Sequence, residues 1–354
     1  MNLTGKPLAH RLRKSFGAKP FKLSDVASDS WQIAPSEVSC ESRTFLLPGQ
    51  FDRVQQFSPF SESPEFERAS LLGGQEIVHA ATTAYVLRDV MLIDGGLYKG
   101  AVAQHLHSRT RFPFFSSLTE VADRHALFCT FGGNMYFGNW LMDDCVTYAL
   151  ARSCGVPTRT KRPMLTDHMS QYSNILDMDA VHLDNRLFKE LVVFEDLAQN
   201  QNKKLRAIAV SKKLTAHLDI KPHAGVFLLR GSTGSSRILE NEQELAQHLN
   251  HKFGLKVLDV TKLSVMEITA ACAGAQMVVG VEGSHLLHGI LHLAPSGSLL
   301  VLQPPKRYST LLKGLTERDG QQFGIVVGTP GLHPDSFSMD RDEVDRTIAL
   351  MRDA

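Results

Sequence analysis

With 354 residues, 43% of them hydrophobic, the chain has material for two domains of ordinary size, each with its own core. Its 38 basic and 37 acidic side chains leave a formal net charge of +1, which argues against a general nucleic-acid binder and leaves phosphate chemistry to local arginines. The five cysteines (Cys40, Cys129, Cys145, Cys154, Cys272) are scattered and form no CxxC, so neither a zinc knuckle nor a redox pair is indicated, and a reducing, cytoplasmic setting is expected.

Residues 1–40 show little periodicity and read as an N-terminal arm. Their first part is basic (Lys6, Arg11, Arg13, Lys14, Lys19, Lys22) without the apolar core of a signal peptide, and no later run approaches the length of a membrane span. This cluster can touch anionic lipid at the inner face of a membrane or stand as a solvated tail. Residues 44–48, 84–87 and 90–93 predict strands separated by turns, and 59–64 an exposed loop. A strand is expected at 126–130, then a helix over 139–153 that ends at Gly155 and Pro157. Residues 191–194 predict a strand and 203–218 a helix. From there the alternation is regular. Strands are expected at 225–229, 255–260, 276–280 and 298–302, with helices at 241–253, 264–273 and 284–292 between them. Asn241 is a candidate N-cap, and Ser264 with Glu267 forms a capping box. Residues 341–352 carry Val344, Ile348 and Met351 on one face of a packing helix. This alternation predicts an α/β fold with a parallel, doubly wound sheet, and a boundary near residue 200.

Two loops at the carboxyl ends of strands carry the candidate chemistry, because open α/β sheets bind ligands there. Arg230 and Arg237 flank a Gly/Ser loop, 232–236, and suit the two phosphates of a nucleotide-type donor; alternatively they are solvated surface arginines. Asn241 and Glu242 open the next helix, where a cap and an acidic first turn explain them as well as ribose contacts do. Gly280, Gly283 and Ser284 let a backbone approach a ligand closely and open a helix toward an anion. Glu282 in that turn can bind sugar hydroxyls or act as a base. His285, His288 and His292 share part of a helix face, with His285 nearest the turn; no carboxylate ligand or HExxH accompanies them, so no metal is expected. Further upstream, Asn139, Trp140 and Asp143 follow a glycine-punctuated aromatic loop, where a carboxylate can deprotonate an acceptor hydroxyl and an indole can stack on a sugar; otherwise the aromatics are core and the aspartates a solvated first turn, the reading this stretch alone favours. Walker A, G-x-G-x-x-G and G-x-S-x-G patterns are absent from the sequence.

In order along the chain, these residues resemble glycosyltransferase family 61, including its bacterial members associated with capsular and other surface polysaccharides. Arg230, Arg237, Asn241-Glu242, Leu263-Ser264 with Glu267, Gly280, Gly283 and Pro304 follow the family's donor half, and Gly138-Asn139-Trp140-Leu141-Met142-Asp143 looks like its Gly-His-Trp-Leu-x-Asp element. Glu282 and Asn139 stand where the family has histidines, which implies altered specificity or reduced activity. The resemblance implies a GT-B-like architecture, two Rossmann-like domains facing a cleft. Residues 41–200 would form the acceptor-side domain and 201–354 the nucleotide-sugar-binding domain, whose last helix often crosses back to the first. It further implies an inverting, metal-independent glycosyltransferase without a cofactor, moving sugar from a nucleotide-sugar to a saccharide or glycoconjugate acceptor in surface polysaccharide biosynthesis. Donor binding then falls to Arg230, Arg237, Asn241, Glu242, Gly280, Gly283, Ser284 and His288, acceptor binding to Asn139 and Trp140, and catalysis to Asp143, Glu282 and His285. A non-catalytic sugar or nucleotide-sugar binding protein of a polysaccharide assembly complex is the alternative, and an unrelated Rossmann-like sugar-nucleotide-modifying enzyme a third. Peripheral membrane contact and a homo-oligomer stay open.

Overall fold

In a computed structural model of the chain, residues 2–15, 22–61, 63–100, 102–108, 114–161, 166–231 and 237–354 are described. They gather into two units, Met1–Glu37 with Ala80–Val210, and Val38–His79 with Ser211–Ala354. The first unit is built on strands β1 (Thr82–Ile93), β2 (Gly96–Lys99), β3 (Val102–His105), β4 (Ser116–Leu127), β5 (Val156–Thr160), β6 (Val181–Leu183) and β7 (Arg186–Glu195), in the order β6-β5-β4-β7-β1-β2-β3. Asn2–Thr4 pairs with β4 and Asp29–Ala34 with β1. Residues along β7 alternate between two cores, as the period of a strand requires. Leu191 and Val193 pack with Leu87, Leu92 and Phe188. Val192 packs with Ala84, Ala126, Phe128 and, from helix α1 (Cys145–Cys154), Tyr148 and Ala151. The two runs read as separate strands at 84–87 and 90–93 are one strand, broken only by Asp89 at φ 50°.

Short turns after β1 and β2 impose antiparallel pairing on β1, β2 and β3, whereas β4 to β7 are paired in parallel. Because β1 also runs antiparallel to β7, this sheet is mixed and differs from the Rossmann-like sheet expected here. Helix α2 (Gln201–Leu214) follows β7.

The second unit carries the parallel sheet. Its strands are β8 (Val226–Leu229), β9 (Lys256–Asp259), β10 (Met277–Val281), β11 (Ser298–Gln303) and β12 (Gln322–Val327), in the order β9-β8-β10-β11-β12 with every pair parallel. β8, β10 and β11 are buried throughout, which their unbroken apolar runs require when helices cover both faces. Between and after these strands come helices α3 (Glu242–Phe253), α4 (Val265–Cys272), α5 (Leu287–Ile290), α6 (Lys313–Asp319) and α7 (Arg341–Arg352), and a further helix, Pro64–Leu72, comes from the upstream segment of the unit. The expected capping box forms at α4: Ser264 Oγ accepts from Glu267 N at 3.3 Å, and the Glu267 carboxylate accepts from Ser264 N at 2.8 Å. Asn241 makes no such cap at α3. Its amide instead clasps the backbone of Met339, at 2.9 and 3.1 Å. The helix expected over 284–292 is a 3-10 turn, Ser284–Leu286, followed by the single turn of α5.

Helix α7 buries Val344, Ile348 and Met351 in the second unit's core beside Val326 and Phe337, so the face read from the sequence packs on its own unit. Residues 38–79 also belong to this unit, whereas the linear boundary puts 41–79 with the first. Phe45 continues the sheet beyond β12 by exchanging backbone hydrogen bonds of 2.9 Å with Phe323 and Ile325, and it is all that remains of the strand expected at 44–48. Buried Lys313 pairs with Glu41 at 2.7 Å, and Arg53 grips Glu343 through two bonds of 2.6 Å. Among the described residues no helix is long and apolar enough to cross a membrane.

Candidate functional site

The winding of the second unit reverses between β8 and β10, since the chain leaves β8 for β9 on one side and β10 for β11 and β12 on the other. Such a switch point opens a crevice at the carboxyl ends of the strands, where doubly wound sheets take their ligands. Arg230 follows β8 directly, and Glu282 to His285 follow β10. Because the strands are parallel, Pro304 to Arg307, after β11, lie on the same edge.

The loop after β8 is held from below. Glu242, buried at the start of α3, accepts from the backbone N–H groups of Arg230 (2.8 Å) and Gly231 (2.9 Å). Its carboxylate is thus engaged in shaping the turn. Residues 232–236 lie outside the described residues. On the far side of that loop, the Arg237 guanidinium donates to the Glu282 carbonyl at 2.9 Å and forms an ion pair with the Glu282 carboxylate. At Gly283 a Cβ would meet Arg230 Nη1, so the Arg230 side chain could not keep its place there. At Gly280 a Cβ would stand 2.7 Å from the Leu228 carbonyl. The two glycines therefore let Arg230 lie against the β10 loop and let β8 approach β10.

Burial pushes the Arg230 guanidinium down, with Glu242 opposing and Arg307 adding to the effect. Arg237 is pushed down to about 9 by burial and then by Arg230 and Arg307, and it stays charged at neutral pH. The three guanidiniums thus act on one another here. His285 is pushed down to about 3, by burial first and then Arg230, so its imidazole is neutral; both ring nitrogens are sealed from solvent. Ser284 is exposed, whereas His288 is buried. His292 is engaged by Ser211 (2.9 Å) and Thr269 (3.3 Å), and burial pushes it down to about 4. Among the described residues no group of three or more His, Cys, Asp or Glu could hold a metal ion.

In the first unit, a π-helical turn, Trp140–Asp144, leads into α1. It turns Trp140 fully inward, against Phe137 and Tyr172, so the indole offers no face to a sugar. Asp143 is ion-paired with fully buried Lys203 at 2.5 Å and accepts from Asn139 Nδ2 at 3.1 Å. Asn139 and Asp143 are therefore together, as a helical i, i+4 pair, in a contact that stabilises the unit. The next residue, Asp144, accepts from Thr130 N and Oγ1 at 3.0 and 2.9 Å, and burial pushes its carboxyl up to about 8.

Sequence reasoning missed Arg307 and Lys203. Arg307 had a signal: a Lys-Arg pair directly after the Pro-Pro that closes a strand on the ligand edge. Lys203 had none, since a lysine near the start of a helix reads as solvated.

Residues 137–301 match the family model described as Glycosyltransferase 61. The match covers a little under half of the chain, supports a glycosyltransferase, and implies a sugar donor and a saccharide acceptor. It takes in both units' candidate residues, from Asn139 to His288, and stops short of Arg307. No curated protein matches the chain.

Proposed function

We propose that the protein transfers sugar from a nucleotide-sugar donor, held at the switch point of the second unit, to a saccharide acceptor of surface polysaccharide biosynthesis. The observation that carries the donor assignment is the trio of mutually crowded guanidiniums at the carboxyl edge of the parallel sheet. Arg230 and Arg237 would clasp the diphosphate and stabilise the charge that develops on it as the glycosidic bond breaks. They provide the compensation that a divalent cation gives elsewhere, which supports a metal-independent reaction. The turn at 284–286 is too short for a strong helix dipole, so the arginines carry this duty rather than the helix opening.

An inverting displacement needs a proton acceptor for the incoming hydroxyl. Glu282 is our choice. In the free site its carboxylate sits on Arg237 as a stand-in for a phosphate oxygen, so an arriving diphosphate would displace it and free it to act as a base. Asp143 and His285 follow behind, one bound to Lys203 and the other sealed from solvent. The acceptor side is assigned to the first unit on the family resemblance; a cytoplasmic setting rests on the scattered cysteines, and contact with a membrane surface on the basic N-terminal segment.

Calorimetric titration with nucleoside diphosphates tests the donor site. Arg230→Ala is expected to weaken binding by about 30-fold, the value of roughly 2 kcal/mol for hydrogen bonds to a charged group. Unchanged affinity in both Arg230→Ala and Arg237→Ala would remove the proposal. A second reading, a non-catalytic nucleotide-sugar binder, draws on the ion pairs that hold Asp143 and Glu282 and on the burial of His285 away from solvent. It predicts donor binding without transfer or hydrolysis in the presence of saccharide acceptors.

A further inference from the structure

Beside the arginine trio, and wholly within the second unit, lies a pocket of about 280 Å³. Its walls mix apolar faces, from Pro59, Pro304, Pro305, Pro334 and Phe57, with the polar side chains of Gln56, Lys306, Asp335 and Ser336. Arg237 and Arg307 line it as well. The Nε of each is buried and, among the described residues, finds no hydrogen-bond partner, so two donors on charged groups stand uncommitted at the cavity. A buried donor left without an acceptor is costly, and a ligand oxygen would satisfy it.

The wall that comes from upstream is firmly held. Gln55 N and Gln56 N donate to the Pro305 carbonyl at 2.7 and 3.2 Å, and Tyr308 N donates to the Gln56 carbonyl at 3.0 Å. Ser58 N completes the ladder to Tyr308 O at 2.8 Å, and the Phe57 ring lies edge-to-face with Tyr308 at 6.0 Å. Arg307 is itself steadied over the Phe60 ring at 5.7 Å. Residues 55–60 thus form a built surface, and neither they nor Arg307 fall within the family match.

Resting on the donor site proposed above, we infer that this pocket is the nucleoside subsite, with Arg307 a third guanidinium at the junction of nucleoside and diphosphate. Size, chemistry and position agree on that occupant. Pockets that bury a whole drug-sized ligand begin at roughly 300 Å³, so this one takes one moiety of a nucleotide-sugar and leaves the rest outside. Proline and phenyl faces suit the flat sides of a planar heterocycle, and the polar side chains between them suit its edge. Here the Ser336 hydroxyl is already given to Glu240, leaving the exposed Gln56 amide as the side chain able both to donate to and accept from a base edge. Arg237 belongs both to this wall and to the diphosphate clasp, so a ligand passing from pocket to crevice runs base, phosphates, sugar.

The test compares UDP, GDP, ADP, CDP and inorganic pyrophosphate by calorimetry on wild type, Phe57→Leu, Gln56→Ala and Arg307→Met. The expected result is one preferred base in wild type. Phe57→Leu and Gln56→Ala should then lose about tenfold in nucleoside diphosphate affinity while pyrophosphate binds as before, which also certifies their fold. Arg307→Met should weaken both probes. If nucleoside diphosphates bind wild type but all three variants bind them equally well, the subsite is refuted and the donor site stands. Parallel loss of pyrophosphate and nucleotide in Phe57→Leu and Gln56→Ala also refutes it. Failure of wild type to bind any nucleotide removes the donor reading, and the subsite with it.

Discussion

At the scale of single residues, the site depends as much on what is missing from a side chain as on what is present. Gly283 leaves room for the Arg230 guanidinium, and a methyl group there would drive it away. Gly283→Ala is therefore expected to lower nucleoside diphosphate affinity by about tenfold, measured by titration, with a wild-type circular dichroism spectrum. Asp143 and Lys203 make the opposite case, where charge dictates structure. Lys203 is fully buried and also donates to the Asp196 carbonyl at 2.8 Å, so Lys203→Met would strand the Asp143 carboxylate. A loss of about 3–5 kcal/mol is expected from urea unfolding, with much of it regained in the double variant carrying Asp143→Asn as well. If the single and double variants are equally stable, the pair is not coupled.

At the scale of elements, the helices whose ends were written in the sequence formed as read. Ser264 and Glu267 begin α4, and Ser264→Ala should cost about 1 kcal/mol, visible as a lower urea midpoint at unchanged slope. The α7 face of Val344, Ile348 and Met351 was equally legible, because a helical period fixes which residues share a face. Asn241 was misread, since an asparagine before a helix is a cap by local rules and became a tertiary clasp on Met339. The π-helical turn at Trp140–Asp144 was invisible. Its extra residue per turn redirects Trp140 into the core and hands Asp143 to Lys203, and no local sequence signal announces such a turn.

Across the whole molecule, buried titratable groups set a pH window. His285 and His292, pushed down to about 3 and 4, bind fewer protons folded than unfolded, so stability is lost as pH falls from the ordinary histidine value of 6.5 toward those values. Asp144, pushed up to about 8, binds more protons folded than unfolded, so its contribution is lost as pH rises from the ordinary value of 3.8 toward 8. Stability should therefore peak near neutrality. Asp144→Asn is expected to flatten the alkaline limb and His292→Gln the acidic one, in urea midpoints taken against pH. Identical profiles in wild type and both variants would mean that these groups do not govern the limbs.

The sequence by itself determined the parallel second sheet, most of its helices and the residues of its two ligand-edge loops. Those features rest on local periodicity, on glycine and on polar caps, all of which act within a few residues. Only the tertiary structure decided that residues 38–79 join the second unit, that Arg307 stands beside Arg230 and Arg237, and that Glu282 rests on Arg237. It alone placed Trp140 in the core and Lys203 on Asp143. Charge pairing and burial depend on distances in space between residues far apart in the chain, and local pattern carries no record of those distances.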